Sequence, residues 1–287
     1  MHRLRQIGAV FTAMGMAVVI SGCSQHTWDD FYQGAQGQMR DGKLQEAMII
    51  LKEADKAAIS DSENAKTHLA MAEIYQANHA SGEETREWQT AVPYLEKCMD
   101  KESQSALADT CQNLSAKLRL NKGAQLALQY ANKGLAAATQ LDDKSLIAGC
   151  LAERGMSEIQ LKKYKEAETD LQQADDIWKH DEPDQKKLDC NYAETNLARA
   201  LAADGQYAKS ESIYKKVVAD EEQLVHVMMR SRALREYADV AAKAGHTALA
   251  TQLRKRADAC DDSPDNRAGY ITPDSPAAFE PPPPPGK

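Results

Sequence analysis

Aromatic residues are scarce, at 6% of 287 residues with three Trp and three Phe. Glycine (15) and proline (10) are few as well, and β-branched runs are short. An all-β sandwich or barrel needs both, so this composition speaks against one. Positive charge is in deficit: 35 Lys and Arg face 43 Asp and Glu, a formal net charge of −8. The pI near 5.5 leaves no electrostatic footprint for nucleic acid. Catalytic signatures are missing too. There is no His-Glu-x-x-His, P-loop, Gly-x-Gly-x-x-Gly or Gly-x-Ser-x-Gly, the patterns that zinc hydrolysis, nucleotide binding or a nucleophile elbow require. No Cys-x-x-Cys pair occurs, so a zinc or thioredoxin-type site has no support. The seven His are scattered, and His180-Asp181-Glu182 with Asp184 reads as a solvated acidic linker. No catalytic residue, metal, cofactor or small-molecule substrate is expected. What is abundant is alanine, with 43% hydrophobic and 27% charged residues, enough to bury a core. Length alone, at roughly 150 residues per domain, suggests two domains.

The first 22 residues read as an export address. His2, Arg3 and Arg5 precede residues 7–20 (IGAVFTAMGMAVVI), which carry no charge. These 14 residues fall short of the roughly 20 a spanning helix needs and match a secretory core. The stretch ends in Ile20-Ser21-Gly22-Cys23, which resembles the lipobox of bacterial lipoproteins. The resemblance implies a diacylglyceryl group on the Cys23 sulfur, cleavage before Cys23, and acylation of the new amine. Several acyl chains anchor firmly, since each buried CH₂ adds about 0.8 kcal/mol. Ser24 follows rather than Asp. By resemblance to enteric lipoproteins this implies the outer membrane, facing the periplasm, over the cytoplasmic membrane. Cleavage removes Arg3 and Arg5 and leaves 33 positive against 43 negative side chains, or −10. Residues 23–27 then form a short linker.

From residue 28 to 260 one phrase recurs: a Gly or polar turn, an aromatic or Leu, and small residues at helical spacing. Gly42-Lys43-Leu44 leads to Ala47, Leu51 and Ala54, and Lys163-Tyr164 leads to Ala167, Leu171 and Ala174. Gly205-Gln206-Tyr207 leads to Ser210, Tyr214 and Val217, and Gly245-His246-Thr247 to Ala250 and Ala257. Looser copies are Trp88–Ala91–Leu95–Cys98 and Gly123–Ala127–Ala131–Gly134. A second helical stretch precedes each turn, with its own small residue at Ala35, Ala72, Ser115, Gly155, Ala198 or Ala238. The spacing predicts antiparallel helix pairs whose backbones approach closely at the small residues. In the second copy, residues 79–87 read as an insertion in the turn, with Pro93 early in the following helix.

These copies resemble the tetratricopeptide repeat (TPR) family, with units longer than its basic 34 residues, as in kinesin light chains. The resemblance implies an all-α fold, a right-handed α-solenoid of about six helix-turn-helix repeats with a concave inner face lined by the first helix of each pair. Carried over, the inner face holds Tyr32, Gln36 and Met39, then Lys66, Glu73 and Gln76, in the first two units. Gln112, Arg119 and Met156 follow, and then Tyr192, Arg199, Arg232, Arg235 and Asp239. Tyr and Arg there suit the anchoring of an extended peptide. The Lys/Asn/Arg clamp of the chaperone-binding members is missing, since Gln112, Ala116 and Glu153 stand in its place. Arg230, Arg232, Arg235 and Arg254-Lys255-Arg256 form a basic end that either meets an acidic partner or pairs locally.

In an exported protein cysteines can pair. Cys98 with Cys111 and Cys150 with Cys190 are the expected candidates; the alternative is small buried side chains at helix contacts. Eight of the ten prolines fall after residue 260, five of them at 281–285, so residues 261–287 read as a disordered spacer tail with polyproline II character. The combined expectation is a lipid-anchored, non-enzymatic scaffold or assembly factor whose partners are proteins of the cell envelope. A self-associating structural component is the alternative, and a hydrolase or metal-dependent enzyme a third.

Overall fold

The computed structural model describes residues 26–180, 187–224 and 227–262. Residues 1–25, on which the expected export signal and Cys23 fall, residues 181–186 with Pro183, and residues 263–287, on which the expected tail falls, lie outside the described residues. Within them the chain forms twelve α-helices and no strand. The helices fall in two compact units, one up to Tyr94 and one from Leu95 onward.

The first unit holds α1 (Trp28–Arg40), α2 (Leu44–Ala57), α3 (Asp61–Ala77) and α4 (Ser81–Leu95). The first-turn amides of α1 and α3 are satisfied by reciprocal caps, Thr27 with Asp30 and Ser60 with Glu63. Ala35, Ala47, Leu51, Ala70, Met71 and Ile74 form its core. The second unit holds α5 (Lys101–Leu120), α6 (Ala124–Leu141), α7 (Lys144–Gln160), α8 (Tyr164–His180), α9 (Lys187–Ala203), α10 (Tyr207–Leu224), α11 (Val227–Lys243) and α12 (Thr247–Asp261). Each packs against the next, and α7 also touches α5 and α9. This is the all-α, helix-pair architecture of an α-solenoid. Asp261, assigned to the tail from sequence, still belongs to α12.

All six pairs close in the same way. One residue in each turn takes positive φ: Gly42, His79, Lys122, Lys162, Gly205 and Gly245. The amide after it donates back to the carbonyl five residues earlier, for example Lys43 to Gln38 and Lys163 to Glu158. The left-handed residue thus frees the chain to reverse while the last carbonyls of the first helix stay bonded.

These turns correct the reading of the second pair. Its turn is no longer than the others, and residues 81–87 are helical, so Pro93 lies in the last turn of α4 rather than near its start. Five residues beyond the left-handed position stand Ala47, Ala127, Ala167, Ser210 and Ala250; in the second pair that place belongs to Glu84, 1% exposed. Ala91 aligns instead with Ala54, Gly134, Ala174, Val217 and Ala257. A step of seven residues is two helical turns and keeps the same face, so apolar spacing alone could not fix the register.

The small residues do set the approach of the helices. A methyl on Gly134 would stand 2.9 Å from the Cys150 sulfur and 3.0 Å from Cys111 Cβ; one on Gly155 would meet Leu171 at 2.8 Å. Two helices, α5 and α7, therefore close on the bare backbone of α6 at Gly134.

Candidate protein-interaction groove

In the second unit a groove of about 240 Å³ opens along the first helices α5, α7, α9 and α11, with α10 behind it. Its floor is built from side chains that bind one another. Arg119 donates Nε and Nη2 to Glu153 Oε2, at 3.2 and 3.1 Å, with both side chains about nine-tenths buried. The Tyr192 hydroxyl donates to the other Glu153 oxygen at 3.0 Å and lies against the Met156 sulfur. Farther along, Arg199 donates Nε to Glu236 Oε2 at 2.8 Å and Nη2 to Oε1, and its Nη1 reaches Asn196. The Tyr214 hydroxyl at 2.9 Å and Arg232 Nε at 3.1 Å complete the shell of Glu236. Asn191 donates to Glu221 at 2.8 Å.

The electrostatics follow from this locking. Burial, reinforced by the Glu153 charge, pushes the Tyr192 phenol up, and burial with Glu236 does the same to Tyr214. For Glu236 burial opposes ionisation, but the bonds from Arg199, Tyr214 and Arg232 outweigh it and hold its carboxyl below the usual range. The arginines and tyrosines of this floor are desolvated and already bonded to neighbouring repeats, so they contribute rigidity and shape. Of the lining residues, Leu120 is the exposed apolar one, at 72%. Arg232 is the exposed charged one, its side chain 68% accessible.

Five of the residues carried over from the resemblance, Arg119, Met156, Tyr192, Arg199 and Arg232, line this groove. Arg119, Tyr192 and Arg199 are not open anchors as expected, because neighbouring repeats already hold them. Gln112 lies over Gly149, where a methyl would come within 2.4 Å of its amide oxygen; it fills the contact between α5 and α7. Arg235 bonds Asp258 and Asp261, and Asp239 accepts from Arg254, so these two reach toward α12 and do not line the groove. The basic end resolves into such local pairs for Arg232, Arg235 and Arg254. Tyr32, Gln36, Lys66 and Glu73 belong to the first unit, on its adjoining helices α1 and α3. There Tyr32 stacks on Trp28 at 4.6 Å, and Trp28 donates to Thr67 at 2.8 Å. Burial raises the Glu73 carboxyl above its ordinary value.

Sequence reading missed Leu120, Asn191, Thr195, Asn196, Val217, Glu221 and Ala233 in the lining. A usable signal existed for the floor: Arg119 to Glu153, Glu153 to Tyr192 and Arg199 to Glu236 are separated by 34, 39 and 37 positions, each about one repeat. Complementary groups one repeat apart on first helices are placed to meet.

Cys111 and Cys150 are buried, unbridged thiols, so the expected Cys98–Cys111 bridge is not formed. Cys98 sits in the turn after α4 and Cys111 in the middle of α5; Cys111 turns instead toward Gly134 and Cys150. Burial pushes each of these two thiols up to about 12. The Cys190 side chain lies outside the described residues. Among the described residues no three His, Cys, Asp or Glu side chains gather as a metal site. His68 contacts Glu87 at 2.7 Å and Asp55 at 3.5 Å, but through opposite ring nitrogens, so the carboxylates do not converge. No described helix is long and apolar enough to cross a membrane.

No protein-family model and no curated protein matches the chain. Solved structures do. A tetratricopeptide repeat protein from Parabacteroides merdae is 17% identical, with a TM-score of 0.57 over 81% of this chain and 79% of its own. PilW, a type IV pilus biogenesis factor, is 19% identical, with a TM-score of 0.55 over 82% and 94%. PilF of Pseudomonas aeruginosa is 16% identical, with a TM-score of 0.51 over 79% and 88%. At these identities the likeness is one of fold: the chain folds as TPR-like helix pairs.

Proposed function

We propose that this protein is a lipid-anchored TPR-like lipoprotein of the bacterial cell envelope that holds a protein partner in the groove of its second unit. The observation that carries the reading is the contrast within that groove. Its floor's arginines and tyrosines are bonded to neighbouring repeats, while Leu120 at 72% exposure offers apolar surface at the rim. A concave floor with an apolar and a charged side chain exposed at its rim offers a partner both kinds of contact that interfaces use. The anchor rests on Ile20-Ser21-Gly22-Cys23, and Ser24 favours the periplasmic face of the outer membrane. The fold shared with a pilus biogenesis factor supports an assembly role, and the partner is accordingly an envelope protein.

Two measurements test this. Palmitate labelling of the cells should tag the protein and vanish in Cys23→Ala; label that persists in the variant refutes the anchor. Crosslinking in cells followed by mass spectrometry should return one recurrent envelope protein. Self-crosslinks alone would replace the scaffold with a self-associating structural component.

A further inference from the structure

Which segment suits this groove follows from what its lining leaves unpaired, and the question rests on the groove being a binding site at all. The polar floor has little to give. Arg119 is held by Glu153, Arg199 spends its nitrogens on Glu236 and Asn196, and Asn191 donates to Glu221. Arg232 differs. Glu236 is already neutralised by Arg199 and bonded by Tyr214, yet Arg232 also leans on it through Nε alone. Two guanidinium charges thus share one carboxylate, and among the described residues the Nη1 and Nη2 groups of Arg232 bond to nothing. This second guanidinium is on α11, and the exposed apolar Leu120 is on α5, the opposite wall of the same groove, whose lining also carries the buried Glu221 carboxylate. Helices α7 and α9 lie between. Three interaxial steps of roughly 9 Å make an arc that about eight extended residues span at ~3.3 Å each.

We infer that the groove selects an extended protein segment carrying a large apolar side chain and a carboxylate no more than about eight residues apart. The apolar group covers Leu120 and Met156, and the carboxylate takes the two free nitrogens of Arg232. The planar fork of an arginine suits a carboxylate better than any neutral acceptor. Because Arg232 is exposed, its part is that of a rim charge, which acts on association and its salt dependence more than on buried contact energy.

The test is a selection of random 12-residue peptides, displayed on phage, against the full chain, followed by fluorescence titration of the enriched peptides. They should carry Asp or Glu within eight positions of Leu, Ile, Met or Phe. Arg232→Glu should weaken them about threefold to fivefold at low salt, with the difference shrinking at 0.5 M salt. An Asp/Glu→Lys peptide should regain affinity for the Arg232→Glu protein, which keeps the question open to a negative answer even if that variant is weaker overall. Peptides that lose binding on Leu120→Asp yet show no acidic position, or ignore Arg232→Glu, overturn this inference and leave the groove reading standing. Peptides indifferent to both Leu120→Asp and Met156→Glu overturn the groove reading itself.

Discussion

Arg119 and Glu153 stand 34 positions apart in the chain and 3.1 Å apart in space, each side chain only 9% exposed. The pair joins consecutive first helices of the second unit, and Tyr192 extends it to a third. Removing one partner strands a desolvated charge. Arg119→Met should therefore lower unfolding stability by about 3 kcal/mol, whereas Arg119→Met with Glu153→Leu should recover most of that loss. Urea denaturation of the single and double variants checks the coupling; additive losses would contradict it.

The six identical turns invite a second comparison. Lys122 and Lys162 take φ of 64° and 61°, where Gly42, Gly205 and Gly245 stand in three of the other turns. A side chain in this region costs roughly 1–2 kcal/mol, partly offset by the lower unfolded-state entropy of a non-glycine. Lys122→Gly and Lys162→Gly should each stabilise by about 0.5 kcal/mol, and Gly205→Ala should destabilise by about 1 kcal/mol. Thermal melts of the three variants test the sign.

A third expectation concerns pH. Glu158 on α7 is pushed from 4.5 up to about 7, by burial first and then by the charge of Asp170. Asp170 itself is bound by Arg154 through Nε and Nη2. The unfolded chain gives up the Glu158 proton near 4.5 while the folded chain keeps it to about 7. This group's contribution to stability is thus full below 4.5, falls as pH rises to about 7, and is lost above. In Glu158→Gln the decline should disappear, so the variant gains on the wild type between about pH 5 and pH 8. Parallel urea midpoints of the two proteins across that range would contradict the assignment.

Gly134 and its two thiols give a fourth. Gly134→Ala forces its methyl against the Cys150 sulfur and Cys111 Cβ, an overpacking of about 1–3 kcal/mol. Cys150→Ala in the same chain should relieve part of it. With thiols raised to about 12, Cys111 and Cys150 should resist iodoacetamide at about pH 8 until the protein unfolds. Fast native-state modification of either would show that the α5–α6–α7 contact opens.

How much of this the sequence discloses can be traced residue by residue. The helix pairs are legible because Ala47, Ala127, Ala167 and Ala250, with the small Ser210, recur at one buried place after five of the six turns. The register of the second pair is not, because Ala91 lies two helical turns beyond that place and Glu84 occupies it. His79 gives no sign that it takes the left-handed turn position, since nothing about a histidine demands it. At the groove, Arg119, Tyr192 and Arg199 are legible as inner-face residues, but nothing in the sequence shows that their polar groups are already taken. Their partners are a repeat away, and which of several carboxylates captures an arginine is settled by helix stagger. Arg235 and Asp239 sit one turn apart on α11 and are drawn off by α12, a competition invisible in a single helix.

Occupation of the groove by a partner at its apolar rim is the central claim. A photo-crosslinking amino acid placed at Leu120 in living cells, with Arg235 and Asp239 as positions outside the groove, addresses this directly. One discrete heterologous envelope protein should attach at position 120 and not at 235 or 239. The same adducts at all three positions, or adducts only between copies of this chain, would contradict it.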